Sequence, residues 1–186
     1  ERMWDPELSA SAYPTRRDFT EALVEILRGE LIAVRDEGVA IAQFDDPHLC
    51  LFVDPKFRDR FDDPDDEARY CVDILNRIVD GVDEVRTALH LCRRNKGRGG
   101  WVGEGGYDPI LPALNELQFD MLMLEFAIPA AGGKRVLGQL PERFDVGLGC
   151  VDCRSPHIDT PEEIAGRVRQ ALEYVAPERI TLHPDC

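Results

Sequence analysis

Short apolar runs alternate with longer amphipathic stretches along most of this chain. Five apolar runs predict buried strands, at residues 39–44, 86–92, 120–126, 145–151 and 179–183. The stretches predicted as helices are residues 19–37, 66–82, 109–117, 133–140 and 161–175. The segments predicted as loops are residues 54–66 and 93–107. Strands that alternate with helices indicate an α/β fold with a parallel sheet or barrel.

Capping signals mark the ends of two predicted helices. Thr15 followed by Asp18 predicts the start of the first helix, and Gly38 predicts its end. Thr160 precedes a proline and two glutamates, a pattern that predicts the start of the last helix.

Composition limits the class of protein. The 186 residues are 44% hydrophobic and 31% charged, which suits one domain spanning residues 1–186 with a real core. A net charge of −14 argues against binding to nucleic acid, which needs clustered basic residues. No apolar run approaches the roughly 20 residues that span a membrane, and the first residues do not resemble a signal peptide. We therefore expect a cytoplasmic protein whose six cysteines are reduced.

Most candidate ligands fall where predicted strands end. Asp45 ends the first strand, His90 and Cys92 the second and Glu125 the third, while Cys186 follows the fifth. Because the carboxyl ends of parallel strands share one rim, these side chains are expected to meet there. Two thiolates, one imidazole and one carboxylate form a plausible tetrahedral zinc set.

A simpler interpretation competes with the metal site. A His-x-Cys pair such as His90 and Cys92 is also typical of a core strand, where both side chains are merely buried. Glu125 is harder to explain in that way, since it follows four apolar residues and would need a partner if buried.

Other chemistry-bearing residues point to structural roles. Cys150 and Cys153 form a Cys-x-x-Cys pair for which we favour structural roles, and Cys50 and Cys71 are predicted to pack in the core. The glycine-rich loop 97–106 suits either a mobile lid over an anionic group or a plain surface loop. Three other histidines are expected to be hydrogen-bonded rather than catalytic: His48, His157 and His183.

Several motifs together resemble one known family from about residue 39 to the end. They lie at residues 43–47, 90–92, 124–125, 147–152, 155–156, 177–179 and 184–186. In type and order they resemble the carboxy-terminal catalytic barrel of cobalamin-independent methionine synthase and its short stand-alone relatives.

The resemblance implies a (βα)8 TIM-barrel fold, of which this chain supplies about the last five strands, and one zinc ion. It implies that the ligands are His90, Cys92, Glu125 and Cys186, and that Asp45 holds the substrate amino group. The implied activity is methyl transfer to homocysteine from N5-methyl-tetrahydrofolate. Zinc would lower the thiol pKa, and Glu125 would loosen as the thiol binds.

The chain departs from the family pattern where the donor is handled. Arg154 stands where the family has a proton-donating histidine, Leu51 stands at a pterin-binding glutamate, and Asp46 replaces a glutamate. An arginine is a poor proton donor, although His157 lies nearby. Transfer to another thiol such as coenzyme M, or from a methylated corrinoid, is therefore a second hypothesis.

Two further classes compete with a zinc-dependent alkyltransferase. A metal-free relative such as a uroporphyrinogen-decarboxylase-like barrel would not need two cysteines at strand ends. A non-catalytic zinc-binding barrel would have a closed site, and Asp45 in the same mouth would argue against it. Five strands also leave an open sheet edge, so we do not expect them to be stable alone.

Overall fold

The computed structural model describes residues 4–94 and 102–186, in which five parallel strands form one sheet. The strands are β1 (Ile41–Asp45), β2 (Arg86–His90), β3 (Met121–Glu125), β4 (Asp145–Val151) and β5 (Ile180–Pro184). Each strand pairs in parallel with the next along the chain. This order is that of a TIM-barrel wall, and the predicted fold class is confirmed.

Six α-helices connect or flank the strands in the described part of the chain. They are α1 (Arg16–Asp36), α2 (Pro47–Leu51), α3 (Pro55–Arg58), α4 (Pro64–Val79), α5 (Leu111–Leu114) and α6 (Pro161–Ala171). The capping predictions are confirmed, because Thr15 and Thr160 each close a capping box. The chain leaves α1 through Gly38, which has a φ of +79°.

The predicted loop over residues 54–66 is wrong in part. It contains α3 and the first turn of α4, because Asp54 and Asp63 each cap a helix that begins with the following proline. The Asp46–Pro47 pair starts α2 in the same way. An aspartate accepts the free backbone N–H groups of a first turn, and proline has no N–H to leave unpaired there.

The helix predicted over residues 133–140 is a 3₁₀ helix, Lys134–Gln139. It follows Gly132, whose φ is +79°, and Gly133, and it spans only six residues. So short a connector favours the tighter 3₁₀ turn over an α-helix.

The sheet has one face packed against helices and one face toward the barrel interior. Leu89, Leu122, Leu124 and Leu148 lie in the main core, together with side chains of α4, α5 and α6. Side chains alternate between the two faces of a strand, so the residues next to these leucines face inward. The strand register places the inward-facing residues of neighbouring strands side by side in rows. The inward row nearest the carboxyl ends carries the candidate chemistry.

Both edges of the sheet carry exposed apolar side chains. Ile41 on β1 is 46% exposed, and Leu182 on β5 is 54% exposed. A groove of about 720 Å³ runs between α1 and β1 and is lined largely by apolar residues, among them Leu27 and Val34. Within the described ranges, no helix combines the length and the apolar character needed to cross a membrane.

Candidate metal centre

Four predicted ligands meet at the carboxyl rim of the sheet. His90 and Glu125 end adjacent strands, Cys92 follows His90 on the same side of the chain, and Cys186 lies just beyond β5. Their donor atoms all lie within 4.8 Å of one another. The parallel strand order produces this convergence, although 94 residues separate the two cysteines.

His90 presents one ring nitrogen to the cluster. Its Nδ1 lies 3.3 Å from the backbone carbonyl of Met123, a distance that suits an Nδ1–H donor. Nε2 then keeps a free electron pair and lies 3.7 Å from Oε1 of Glu125. A carbonyl that holds the second nitrogen is a common partner of a metal-binding histidine.

The two cysteine sulfurs lie 3.2 Å apart. The backbone N–H of Arg94 donates to Sγ of Cys92 at 3.3 Å. Partial burial and the hydrogen bond with Cys92 raise the pKa of Cys186 to about 12. One of the two sulfurs is the S–H donor of this hydrogen bond, and two thiolates at the same distance would need a cation to offset their repulsion.

Glu125 is fully buried and is held on both oxygens. Its Oε1 accepts the backbone N–H of Arg93 at 3.0 Å, and its Oε2 accepts Nη2–H of Arg154 at 2.7 Å. Its own backbone N–H donates to the Tyr107 hydroxyl at 2.9 Å. Glu125 therefore has the partner that its burial requires, and Oε1 is its oxygen nearest His90.

Asp185 links the last strand to the segment after β3. It accepts backbone N–H bonds from Phe126 at 3.2 Å and from Ala127 at 3.2–3.3 Å, and its Oδ2 lies 3.6 Å from Nη1 of Arg154. Burial, and secondarily the charge of Glu125, raises the pKa of Asp185 to about 7. These bonds fix the chain immediately before Cys186.

The donor set fits zinc. Bonds of about 2.0–2.3 Å in a tetrahedron place two sulfurs about 3.8 Å apart and a nitrogen and an oxygen about 3.3 Å apart, so the separations of 3.2 Å and 3.7 Å found here each differ from these values by about 0.4–0.6 Å. Two sulfurs, one imidazole and one carboxylate suit zinc better than a hard cation such as Mg²⁺. Small movements of these side chains would complete the geometry.

Asp45 lies beside this cluster without belonging to it. It is exposed and is the β1 register partner of His90, and its Oδ1 accepts a 2.8 Å bond from the side chain of Gln43. A carboxylate in this position can receive an ammonium group of a molecule bound at the rim.

The structure shows the surroundings of three residues at which the chain was compared with the family pattern. Arg154 is 3% exposed and points at Glu125, while Leu51 is a buried apolar side chain at the end of α2. His157 is exposed, and its Nε2 contacts Glu163 at the start of α6. None of these three side chains belongs to the four-donor cluster.

Sequence reasoning did not identify the groups that support the donors. Tyr107 and Arg93 contact Glu125 or its backbone, and Asp185 orders the chain beside Cys186. In the sequence, the position of Asp185 directly before the candidate ligand Cys186 is the signal that could have identified it. Cys50 and Cys71 are buried, as predicted, whereas loop 97–106 lies partly outside the described residues.

Comparison with known proteins identifies the family of this chain. The family model described as "Cobalamin-independent synthase, Catalytic domain" matches residues 8–186. The chain is 27% identical to methionine synthase of Thermococcus kodakarensis and 26% identical to that of Pyrococcus horikoshii. Each match covers 94% of this chain and 44% of the relative, so the chain spans less than half of their length.

A solved structure has the same fold. The B12-independent methionine synthase from Shewanella sp. W3-18-1, in complex with selenomethionine, superposes with a TM-score of 0.72 at 23% identity. The match covers 94% of this chain and 49% of that one. With its family profile, its parallel strand order and its rim of four donors, this chain belongs to the cobalamin-independent methionine synthase catalytic-domain family.

Proposed function

We propose that this chain carries the zinc and thiol half of a methyltransferase site, which methylates homocysteine in the complete protein. The observation that carries the proposal is the meeting of two cysteine sulfurs, one histidine nitrogen and one carboxylate within 4.8 Å at the rim. The family membership and the relatives called methionine synthase support the same reaction.

In the proposed site, His90, Cys92, Glu125 and Cys186 hold zinc. Zinc bound there would lower the pKa of an incoming thiol, so that its thiolate exists at neutral pH. The fixed tautomer of His90 and the bonds to both Glu125 oxygens orient these donors before any substrate arrives.

The transfer itself is a displacement at carbon. The substrate sulfur forms a bond to the methyl carbon while the bond from that carbon to the donor breaks, and the donor keeps that electron pair. Asp45 is proposed to bind the ammonium group of homocysteine, since it is exposed beside His90 in the strand register. That contact would aim the thiol at the metal.

The identity of the donor belongs to the proposal as well. A folate donor needs a proton on its leaving nitrogen, yet the guanidinium of Arg154 is committed to Glu125 and Asp185. His157 is occupied by Glu163. These contacts favour a donor whose leaving group departs without a proton, such as a methylated corrinoid.

The test is turnover by the complete natural protein with its zinc quantified. Homocysteine would be offered with methyl-tetrahydrofolate and, separately, with methylcobalamin. We expect about one zinc per protein and methionine from methylcobalamin. Methionine from the folate alone would overturn the donor assignment, and zinc-loaded protein without methylation of any thiol would indicate a zinc-binding barrel instead.

A further inference from the structure

Both oxygens of Glu125 accept hydrogen bonds from the protein, which reduces the negative charge that this carboxylate can offer a metal. The Arg154 guanidinium takes Oε2 at 2.7 Å, and the backbone N–H of Arg93 takes Oε1 at 3.0 Å. Only Oε1 lies next to the donor nitrogen of His90. Oε2 keeps a second lone pair, but its negative charge is shared with the guanidinium of Arg154, so Oε1 is the better donor to a metal.

The pair between Arg154 and Glu125 is shielded from water. The side chains of Arg154, Glu125 and Asp185 are each at most 1% exposed. Charge-assisted bonds between buried groups are strong, because no solvent competes for either partner. Arg154 therefore withdraws charge from the carboxylate and holds it in one orientation.

Arg154 also reaches Asp185 across the site. Its Nη1 lies 3.6 Å from Oδ2 of Asp185, the residue next to Cys186. One guanidinium thus bridges the end of β3 and the segment after β5, two of the three elements that supply donors. Its position is set by these two carboxylates.

We propose that Arg154 is a positioning residue that limits Glu125 to weak, single-oxygen coordination of zinc, so that an incoming thiol displaces it readily. A displaced carboxylate would remain paired with Arg154 rather than stranded as a buried charge. The role rests on the proposed function and adds to it the reason why one coordination position exchanges. Arg154 acts through Glu125 and is not a catalytic residue.

Zinc affinity tests this role without requiring turnover. In the complete natural protein, competition with a chromophoric chelator would give the zinc Kd of the natural sequence, Glu125→Gln, Arg154→Gln and the double variant. We expect Glu125→Gln alone to weaken binding less than about fivefold, since Glu125 contributes little. Arg154→Gln should tighten binding about tenfold or more, because the freed carboxylate then faces the metal with its full charge.

The double variant isolates the coupling between the two residues. We expect Glu125→Gln to cancel the gain from Arg154→Gln, which a purely structural role of Arg154 would not produce. Arg77→Gln is the control, because Arg77 pairs with Glu21 in an ion pair between α4 and α1 that shares no residue with the site. Its zinc affinity should equal that of the natural protein.

Three results would overturn the inference. The first is a loss of more than about 100-fold in zinc affinity from Glu125→Gln alone, a comparison that stands even if Arg154 variants do not fold. The second is simple additivity in the double variant. The third is weaker zinc binding in a folded Arg154→Lys variant. We expect this variant to bind zinc more tightly, because a lysine ammonium pairs less well with the Glu125 carboxylate than the arginine guanidinium does. If the natural protein binds one zinc but the Glu125 and Arg154 substitutions act independently on zinc affinity, this inference alone is wrong. If the natural protein binds no zinc, the proposed function is wrong as well.

Discussion

At the scale of single residues, three of the four candidate donors have a hydrogen-bonding neighbour that orients them. A carbonyl selects the tautomer of His90, a backbone N–H points at Cys92, and Arg154 holds Glu125. The donors differ in what their removal should do. Loss of a cysteine would remove a strong zinc ligand, whereas loss of Glu125 is expected to reduce zinc affinity less if Arg154 weakens its coordination as proposed.

Cys92→Ser should remove most of the bound zinc and abolish transfer, because a serine hydroxyl stays protonated and is a poor zinc ligand. Elemental analysis of the purified variant measures the loss. Cys71→Ala is the control, since Cys71 is buried in the core and should keep full zinc. A Cys92→Ser protein with one zinc per chain would contradict the ligand assignment.

Asp45→Asn should raise KM for homocysteine roughly tenfold or more while leaving zinc content intact. The amide cannot pair with the substrate ammonium group, and a charge-assisted bond of this kind contributes about 1.5–3 kcal/mol. Initial-rate kinetics measure the effect, with Asp36→Asn at the far end of α1 as the control. An unchanged KM would point to a thiol substrate that has no amino group.

At the scale of elements, a glycine on β4 allows the chain after β5 to pack closely against the end of β3. Gly149 on β4 is the register partner of Glu125, and its Cα faces the carboxylate of Asp185. An added Cβ would collide with Oδ1 of Asp185 and would lie 2.9 Å from the Leu124 carbonyl oxygen. A glycine here lets Asp185 reach the backbone of Phe126 and Ala127.

Gly149→Ala should destabilise the protein by about 1–3 kcal/mol, because the collision involves backbone and a buried carboxylate. Zinc affinity should also fall, since Asp185 orders the chain beside Cys186. Denaturant unfolding and metal competition measure the two effects. Gly166→Ala on α6 is the matched control: it meets no atom within 4 Å and should stabilise by about 0.5–1 kcal/mol. Equal stability of the two variants would argue against the close approach at Gly149.

At the scale of the whole molecule, the open sheet is the dominant feature. The edges at β1 and β5 and the apolar groove beside α1 expose surface that a closed barrel would cover. Exposed ion pairs on the interior side, such as Arg86 with Asp145, contribute too little free energy to offset this exposed apolar surface.

A polypeptide of residues 1–186 alone should therefore self-associate at micromolar concentration. Sedimentation velocity over a concentration series would detect it, and Leu182→Lys with Ile41→Lys should weaken the association by charging both edges. A monomer of unchanged size across the series would show that the open sheet needs no partner.

The sequence by itself determined the order of strands and most of the helices, the α/β class and the four candidate donors. Parallel strands place their carboxyl ends on one rim, so residues such as His90 and Glu125 could be expected to meet there without any coordinates. The three Asp-Pro helix starts are also local signals in the sequence, although two of them lie within the predicted loop 54–66. Such features depend on local periodicity and chain direction.

Only the tertiary structure decided which groups hold the donors. Arg154 lies 29 residues from Glu125 along the chain and Asp185 lies 58–59 residues from the N–H groups it accepts, so no local pattern links these residues. Their contacts depend on side-chain length, on loop conformation and on the space left by Gly149. Because these groups are buried, their hydrogen bonds and ion pairs form a network that orients the four candidate donors.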